Sequence, residues 1–405
     1  MTTDLTVRFL DRTTAPHIVT LILIAGISAL SMNIFLPSLP NMSAYFDTDY
    51  RVMQLSVALY LGVNGVLQII IGPISDRYGR RPVILGGFVF FCLATLGCIF
   101  ATSIEVFLTF RMLQASVVVG IVLSRAVVRD MVPATQSASM IGYVTMGMAV
   151  VPMIGPAFGG LLDQAFGWQS NFWLLFVLGV AVTWLVWADL GETTRQRSAS
   201  FAAQFRQYPE LLTSPRFWGY CLTAAFGSGA FFAYLGGAPF VGSEVFGLNP
   251  SQLGMYFGAP ALGYFAGNFI SGRYSVRIGI NPMILIGSAL NLAGMSLSLL
   301  MFYAGLGSVG VFFGFMTFVG FGNGMMLPNA NAGILSVRPH LAGSASGLGG
   351  AMMIGGGAAL SALAGTLLTK ASGAFPLLWL MAITAVLAVL SILFVIRRER
   401  ALATA

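Results

Sequence analysis

Residues 377–396 read LLWLMAITAVLAVLSILFVI, a stretch without a formal charge in which Thr384 and Ser391 are the polar side chains. At 1.5 Å per residue, a helix of this length reaches about 30 Å, the thickness of a bilayer's hydrocarbon core. Moving outward, the whole segment from Ile278 to Ile396 carries only two formal charges, Arg338 and Lys370. No soluble surface can be built from it, because little in it would hold water. Lipid must be the solvent. The rest of the chain agrees: its 405 residues are 57% hydrophobic and 8% charged, whereas about a quarter of a soluble domain is charged. This composition excludes a soluble enzyme, a disordered tail protein and a nucleic-acid-binding domain.

The apolar runs are continuous rather than alternating, which favours helices over a transmembrane barrel. Twelve spans are predicted, near residues 18–37, 53–72, 83–103, 106–127, 139–162, 171–188, 217–240, 252–271, 283–304, 307–329, 342–368 and 375–396. The fold class is therefore all-α and polytopic. Residues 1–188 form one six-helix half, 189–216 a linker and 217–405 a second half. The first span follows a charged lead and runs into Leu36-Pro-Ser-Leu-Pro40, so it is expected to end there in a rigid turn and to be retained rather than cleaved.

Of the 20 basic residues, 19 are arginine. With the N-terminus inside, 17 of them fall in inner loops, Arg51 and Lys370 fall outside, and Arg111 lies within a span. That asymmetry is a positive-inside signal. The net charge of +7 is then topological and calls for no nucleic acid. Cys92, Cys98 and Cys221 all lie in apolar runs, without metal-ligand spacing, and read as packed hydrophobes. In the linker, Phe201, Phe205, Tyr208 and Leu212 recur at helical spacing, as in a helix lying on the inner membrane face. An ordinary connecting segment accounts for the same residues.

The halves repeat. Gly72, Arg77 and Gly79 return as Gly272, Arg277 and Gly279, and Gln68 corresponds to Asn268. Repeated halves place a substrate site at their interface near the bilayer midplane. After the second span, Gly72-Pro-Ile-Ser-Asp76-Arg77-Tyr78-Gly79-Arg80-Arg81 combines tight-turn glycines with one acid and three arginines. Asp130 is the expected partner of these arginines, and the group is read as a conformational latch. A plain positive-inside loop would explain the arginines but not Asp76 or the glycines. In the fifth span Gly147, Val151, Gly155 and Gly159 are four apart, followed by Gly160, with Pro152 and Pro156 to bend the helix. Small residues let helices touch in lipid. Static packing and sliding at a helix seam both fit.

Arg111 and Gln114 lie in the fourth span, where a charge costs a few kcal/mol or more. Such a residue lines a cavity or is paired. Tyr60, Asn64 and Gln68 share one face of the second span, and Tyr264 and Asn268 mirror the last two on the eighth. Asn323, Asn329 and Asn331 lie around the end of the tenth. Each is a candidate cavity residue or an interhelical hydrogen bond. The chain has no phosphate-cradling loop with lysine, no His/Cys/carboxylate cluster and no nucleophile–base pair. No enzyme activity, cofactor or metal is expected.

The GPISDRYGRR loop, Arg111-Met-Leu-Gln114 and Gly155-Pro156-Ala-Phe-Gly159-Gly160 resemble the hallmark motifs of major facilitator drug:proton antiporters. Asn33-Ile-Phe-Leu-Pro-Ser-Leu-Pro40, Arg129-Asp130 and Gly167-Trp168 resemble the bicyclomycin and chloramphenicol resistance (Bcr/CflA) branch. The resemblance implies two six-helix bundles around a central cavity, and a monomer of the bacterial inner membrane is expected; the arginine placement and the even span number put both termini in the cytoplasm. The resemblance implies export of small drug-like molecules or metabolites by alternating access, coupled to proton entry. It also implies an acid on the first span near the span-four arginine. This chain has Asn33 there, and Ala115 in place of a glycine after Gln114. With Arg111 kept and the acid lost, the expected substrates are neutral, zwitterionic or anionic rather than cationic. A facilitator or uptake carrier without proton coupling is the alternative; a membrane enzyme or sensor would need a catalytic constellation the sequence lacks.

Overall fold

The computed structural model describes residues 8–132, 140, 144, 151, 154–194, 208–338 and 341–403. Among them there is no strand, and ten helices are long and apolar enough to cross a membrane. The first span does not stop at the proline motif. Its helix Ile18–Asn33 gives way to a 3-10 turn, Leu36–Ser38, and resumes as Leu39–Tyr45. Pro37 and Pro40 cannot donate to the helical ladder, but each sits in the first turn of its own segment, where no donor is needed. The motif therefore bends a 28-residue unit, Ile18–Tyr45, rather than ending it.

The second span is Tyr50–Tyr78, started by the Asp49 carboxylate accepting the Arg51 N–H. The third is Arg80–Ile99, and between the two Gly79 stands at φ 104°. The second half repeats this corner: Gly279, at φ 95°, separates Ala259–Ile278 from Ile280–Tyr303. Side chains rarely adopt that backbone, which explains the matching glycines.

The fourth span runs Ile104–Gln114, tightens to a 3-10 turn and continues as Val119–Met131. The fifth is helical over 154–166 of the described residues, and the sixth is Gln169–Asp189. Span seven is Pro215–Phe240, extended by a π turn, Val241–Val245. Spans ten, eleven and twelve are Val309–Val337, Ala342–Leu367 and Phe375–Ala403.

The eighth span departs from expectation. A short helix, Pro250–Tyr256, precedes Ala259–Ile278, and the chain breaks between them at Phe257 and Gly258. Pro250 and Pro260 each sit in a first turn, so each opens a new helix. Arg273 and Arg277, two of the 17 basic residues counted in inner loops, lie on this helix; with Asn268 they make it more polar than its neighbours.

Packing follows the small residues. No Cβ would fit on Gly263 against the Thr317 carbonyl, nor on Gly320 against that of Pro260, so spans eight and ten touch backbone to backbone. The halves meet on the face opposite the arginine-rich ends. There the Tyr50 hydroxyl donates to Gly236 O at 3.3 Å, and Gln54 donates to Ser361 Oγ at 3.1 Å and to its carbonyl. Gly160 closes against the Pro250 carbonyl and Gly254 against that of Pro156, joining spans five and eight.

In the linker, Tyr208–Leu212 is a short helix. Leu211, not Leu212, is buried, in a core with Phe217, Tyr220 and Ile284 of the second half. Glu210 pairs with Arg338 at 3.0 Å. The expected stripe is thus displaced by one residue at this end; Phe201 and Phe205 lie outside the described residues.

Candidate functional site

Arg111 is 1% exposed. Its fork is taken up by neutral groups. Nη2 donates to the Ser31 carbonyl at 2.9 Å, Nη1 to Gln114 Oε1, and Nε to the Ser56 carbonyl at 3.4 Å. The guanidinium lies between two rings, 3.9 Å from the centroid of Tyr60 and 4.3 Å from that of Phe35. Gln114 is oriented in turn by donating to Thr95 Oγ1 at 2.8 Å. Four spans thus supply the cage. Desolvated cation–π contacts are worth about 2 kcal/mol or more, and the carbonyls complete the hydrogen bonding. No carboxylate pairs with Arg111 among the described residues.

Asn33 is buried as well, but it is not bonded to Arg111. Ser31 and Phe35, four apart, hold the arginine; two residues from each, an ideal helix points roughly 160° away. Asn33 donates to the Ala29 carbonyl at 3.2 Å, and its Oδ1 has no partner among the described residues. Tyr60 turns into the first half to cover Arg111. Asn64 accepts from Gln68 at 2.8 Å, and Gln68 Oε1 lies beside Gly350 of the eleventh span. Beyond Tyr60 this face abuts the other half; a Cβ on Gly65 would stand 3.4 Å from the Ala351 carbonyl. In the mirrored pair, Asn268 donates to the Tyr264 carbonyl at 2.8 Å, and both are half-buried. Asn329 is an interhelical bond to Ser271 at 2.8 Å, Asn323 is buried, and Asn331 is exposed.

On the arginine-rich face, Arg80 is the hub. Its Nη1 lies 2.5 Å from Asp76 and its Nε 3.1 Å from Asp130. Arg81 donates to the Trp187 carbonyl at 3.0 Å, and Arg77 stacks on Tyr78 at 5.6 Å. Gly72 faces open space, and Gly79 supplies the positive-φ corner. Spans two, three and four are tied together within one half. Sequence reasoning missed Glu192, which accepts the backbone N–H groups of Arg80 at 2.9 Å and Arg81 at 3.3 Å. Burial raises its carboxyl, but the N–H groups of Thr194, Arg80 and Arg81 outweigh this and hold it below the usual carboxylate range. Thr193 completes the group by donating to Asp130 at 3.2 Å.

The antiporter-like glycines divide their work. Gly155 and Gly159 face the first span at Leu30 and Ile34, and Gly160, beside Pro156, faces the eighth. Gly147 lies outside the described residues. Also missed were Ser31, Phe35, Ser56 and Thr95. Their only signal is small polar or aromatic character inside apolar runs.

Residues 21–361 match the model of the Major Facilitator Superfamily. The chain is 30% identical over 388 residues to the uncharacterized MFS-type transporter YdgK of Bacillus subtilis, covering 93% of this chain and 94% of that protein. It is 32% identical over 337 residues to a chloramphenicol resistance protein of Pseudomonas aeruginosa, covering 81% and 79%. Over 347 residues it is 31% identical to multidrug resistance protein D of Escherichia coli, covering 85% and 87%. Among solved structures, it resembles a D-xylose-proton symporter with a TM-score of 0.76 at 15% identity, covering 93% and 96%. A bacterial homolog of the human lysosomal transporter Spinster, inward-facing and occupied, gives 0.66 at 17%, covering 95% and 96%. At these identities the structural likeness speaks to the fold alone. The two repeated six-helix halves, the Arg80 hub and these relatives agree: the chain belongs to the major facilitator superfamily of membrane transporters, in its Bcr/CflA-type branch.

Proposed function

We propose that this protein exports small drug-like molecules or metabolites across the bacterial inner membrane by alternating access, in exchange for protons. The names of its relatives, a chloramphenicol resistance protein and a multidrug resistance protein, support export. The closed seam between Gln54 and Ser361 opposite the arginine-rich face fits one end state of a rocking cycle. The arginine-rich face is cytoplasmic, both termini are cytoplasmic and the protein acts as a monomer. The substrate is neutral, zwitterionic or anionic. The observation that carries this choice is Arg111, buried with neutral partners only, beside a first span whose Asn33 supplies no acid. A lipophilic cation would meet positive potential in a low-dielectric site, where screening is weak.

Uptake into everted vesicles, with and without a proton gradient, tests both parts. Export predicts accumulation driven by the gradient, with amphenicol-like neutral compounds favoured over matched quaternary ammonium compounds. Equilibration that ignores the gradient would instead mark a facilitator.

A further inference from the structure

Near the arginine-rich face, the start of the seventh span and the twelfth span leave an open groove of about 640 Å³ between them. Trp218, Leu222, Leu390, Ser391 and Phe394 line it, and Trp218, Leu390 and Phe394 are 38%, 55% and 49% exposed. The Trp218 indole N–H is committed to the Leu212 carbonyl at 2.7 Å, which fixes its ring as a wall.

The charge at one end is what identifies the occupant. Leu387, Leu390, Ser391 and Phe394 follow each other at helical spacing on the groove face. Arg398 lies one turn beyond Phe394 on that same face, with Arg397 beside it, and the helix continues through both. Both arginines are exposed, and neither makes an ion pair or side-chain hydrogen bond among the described residues. The nearby acids are already used: Glu399 pairs with Arg216 at 2.6 Å and Glu210 with Arg338 at 3.0 Å. The seventh helix begins with no side-chain cap, adding the positive end of its dipole. From Leu387 to Arg398 the helix rises about 16 Å, roughly half of a ~30 Å hydrocarbon core. The groove therefore has the depth of one leaflet, an apolar body, an interfacial tryptophan and a cationic mouth.

We infer that this groove binds one anionic phospholipid of the leaflet on the arginine-rich face. An acyl chain lies along Leu222, Leu390 and Phe394, and the phosphate sits at Arg397 and Arg398. Each basic residue at a membrane surface contributes about 5.5-fold to anionic-lipid affinity, so the pair contributes about thirty-fold.

Native mass spectrometry of the full chain in detergent, with equimolar phosphatidylglycerol and phosphatidylcholine, tests this. The expected result is one retained phosphatidylglycerol per chain. The double substitution Arg397→Gln, Arg398→Gln should weaken retention about thirty-fold. Ser391→Phe, which fills the groove and leaves the charges in place, should also abolish it. Arg273→Gln with Arg277→Gln, the same charge removed from an exposed stretch of the eighth span, should leave it intact. Equal retention of phosphatidylcholine would overturn the inference. So would unchanged binding in either groove variant, equal loss in the Arg273/Arg277 control, or a lipid-free dimer in place of the lipid-bound monomer.

Discussion

Glu192 accepts the backbone N–H of Arg80 at 2.9 Å, while the side chain of that same arginine reaches Asp130 at 3.1 Å. One residue thus joins the start of the linker, the start of the third span and the end of the fourth. The Glu192 carboxyl titrates below the usual range, so this clamp is ionised at neutral pH and is lost only as pH falls through that lowered value.

Asp76→Asn and Asp130→Asn should each insert and express near normally yet reduce transport at least ten-fold. Each removes a charge facing Arg80 while keeping side-chain volume. Vesicle transport normalised to protein content is the measurement. Full activity in both variants would reduce the loop to a topology signal.

Arg111→Ala should abolish transport. Arg111→Lys should restore it only in part, because an ammonium lacks the planar fork that reaches Ser31, Gln114 and Ser56 together. Since Arg111 is enclosed, Arg111→Ala also leaves a cavity between Phe35 and Tyr60, so melting in detergent should be recorded alongside transport. A lysine variant with unimpaired transport would show that charge alone suffices.

How much of this was legible follows from where the partners lie in the chain. The Gly79 and Gly279 corners and the Asp76–Arg80 pair are local patterns around one turn, and the sequence shows them directly. The Arg111 cage is different. Ser31 is 80 residues away, Ser56 is 55 and Thr95 reaches it only through Gln114. No spacing rule links positions on separate helices. The bend at Pro37 and Pro40 differs from the expected stop because a proline ends one ladder and opens another with equal ease. Glu192 is one of three acids in the linker, with Asp189 and Glu210, and only the fold shows that it meets two backbone N–H groups.

Orientation can be read by labelling. With the arginine-rich face cytoplasmic, a cysteine placed at Ala403 should resist a membrane-impermeant thiol reagent in intact cells and react after permeabilisation. The three native cysteines are buried and free, so background is low. Labelling in intact cells would reverse the assignment.

Gly160 and Gly254 hold the seam opposite the arginine-rich face, each against a backbone carbonyl of the other half. Gly160→Val should keep that seam from closing and reduce transport at least ten-fold without loss of insertion. A reporter cysteine at Gln54, 1% exposed at the seam, should then react faster with a thiol reagent in detergent than it does without the valine. An unchanged labelling rate would mean that the halves close elsewhere.

Asn33→Asp tests the electrostatic reading most directly. Asn33 is 1% exposed and its Oδ1 is unpartnered among the described residues, so the substitution changes charge and protonation with almost no change of shape. The carboxylate form would offset the positive field of Arg111 and offer a cation its first counter-charge on this span. The protonated form would behave much as asparagine does. Preference for quaternary ammonium over neutral substrates should therefore rise about ten-fold at high pH and vanish as pH falls and the acid takes up its proton. The unmodified protein should show neither the cation preference nor that pH dependence. Uptake of matched neutral and quaternary ammonium compounds into everted vesicles across a pH series decides it. If the unmodified protein already prefers the cation, or if Asn33→Asp changes neither selectivity nor pH profile, the positive field around Arg111 does not set substrate charge.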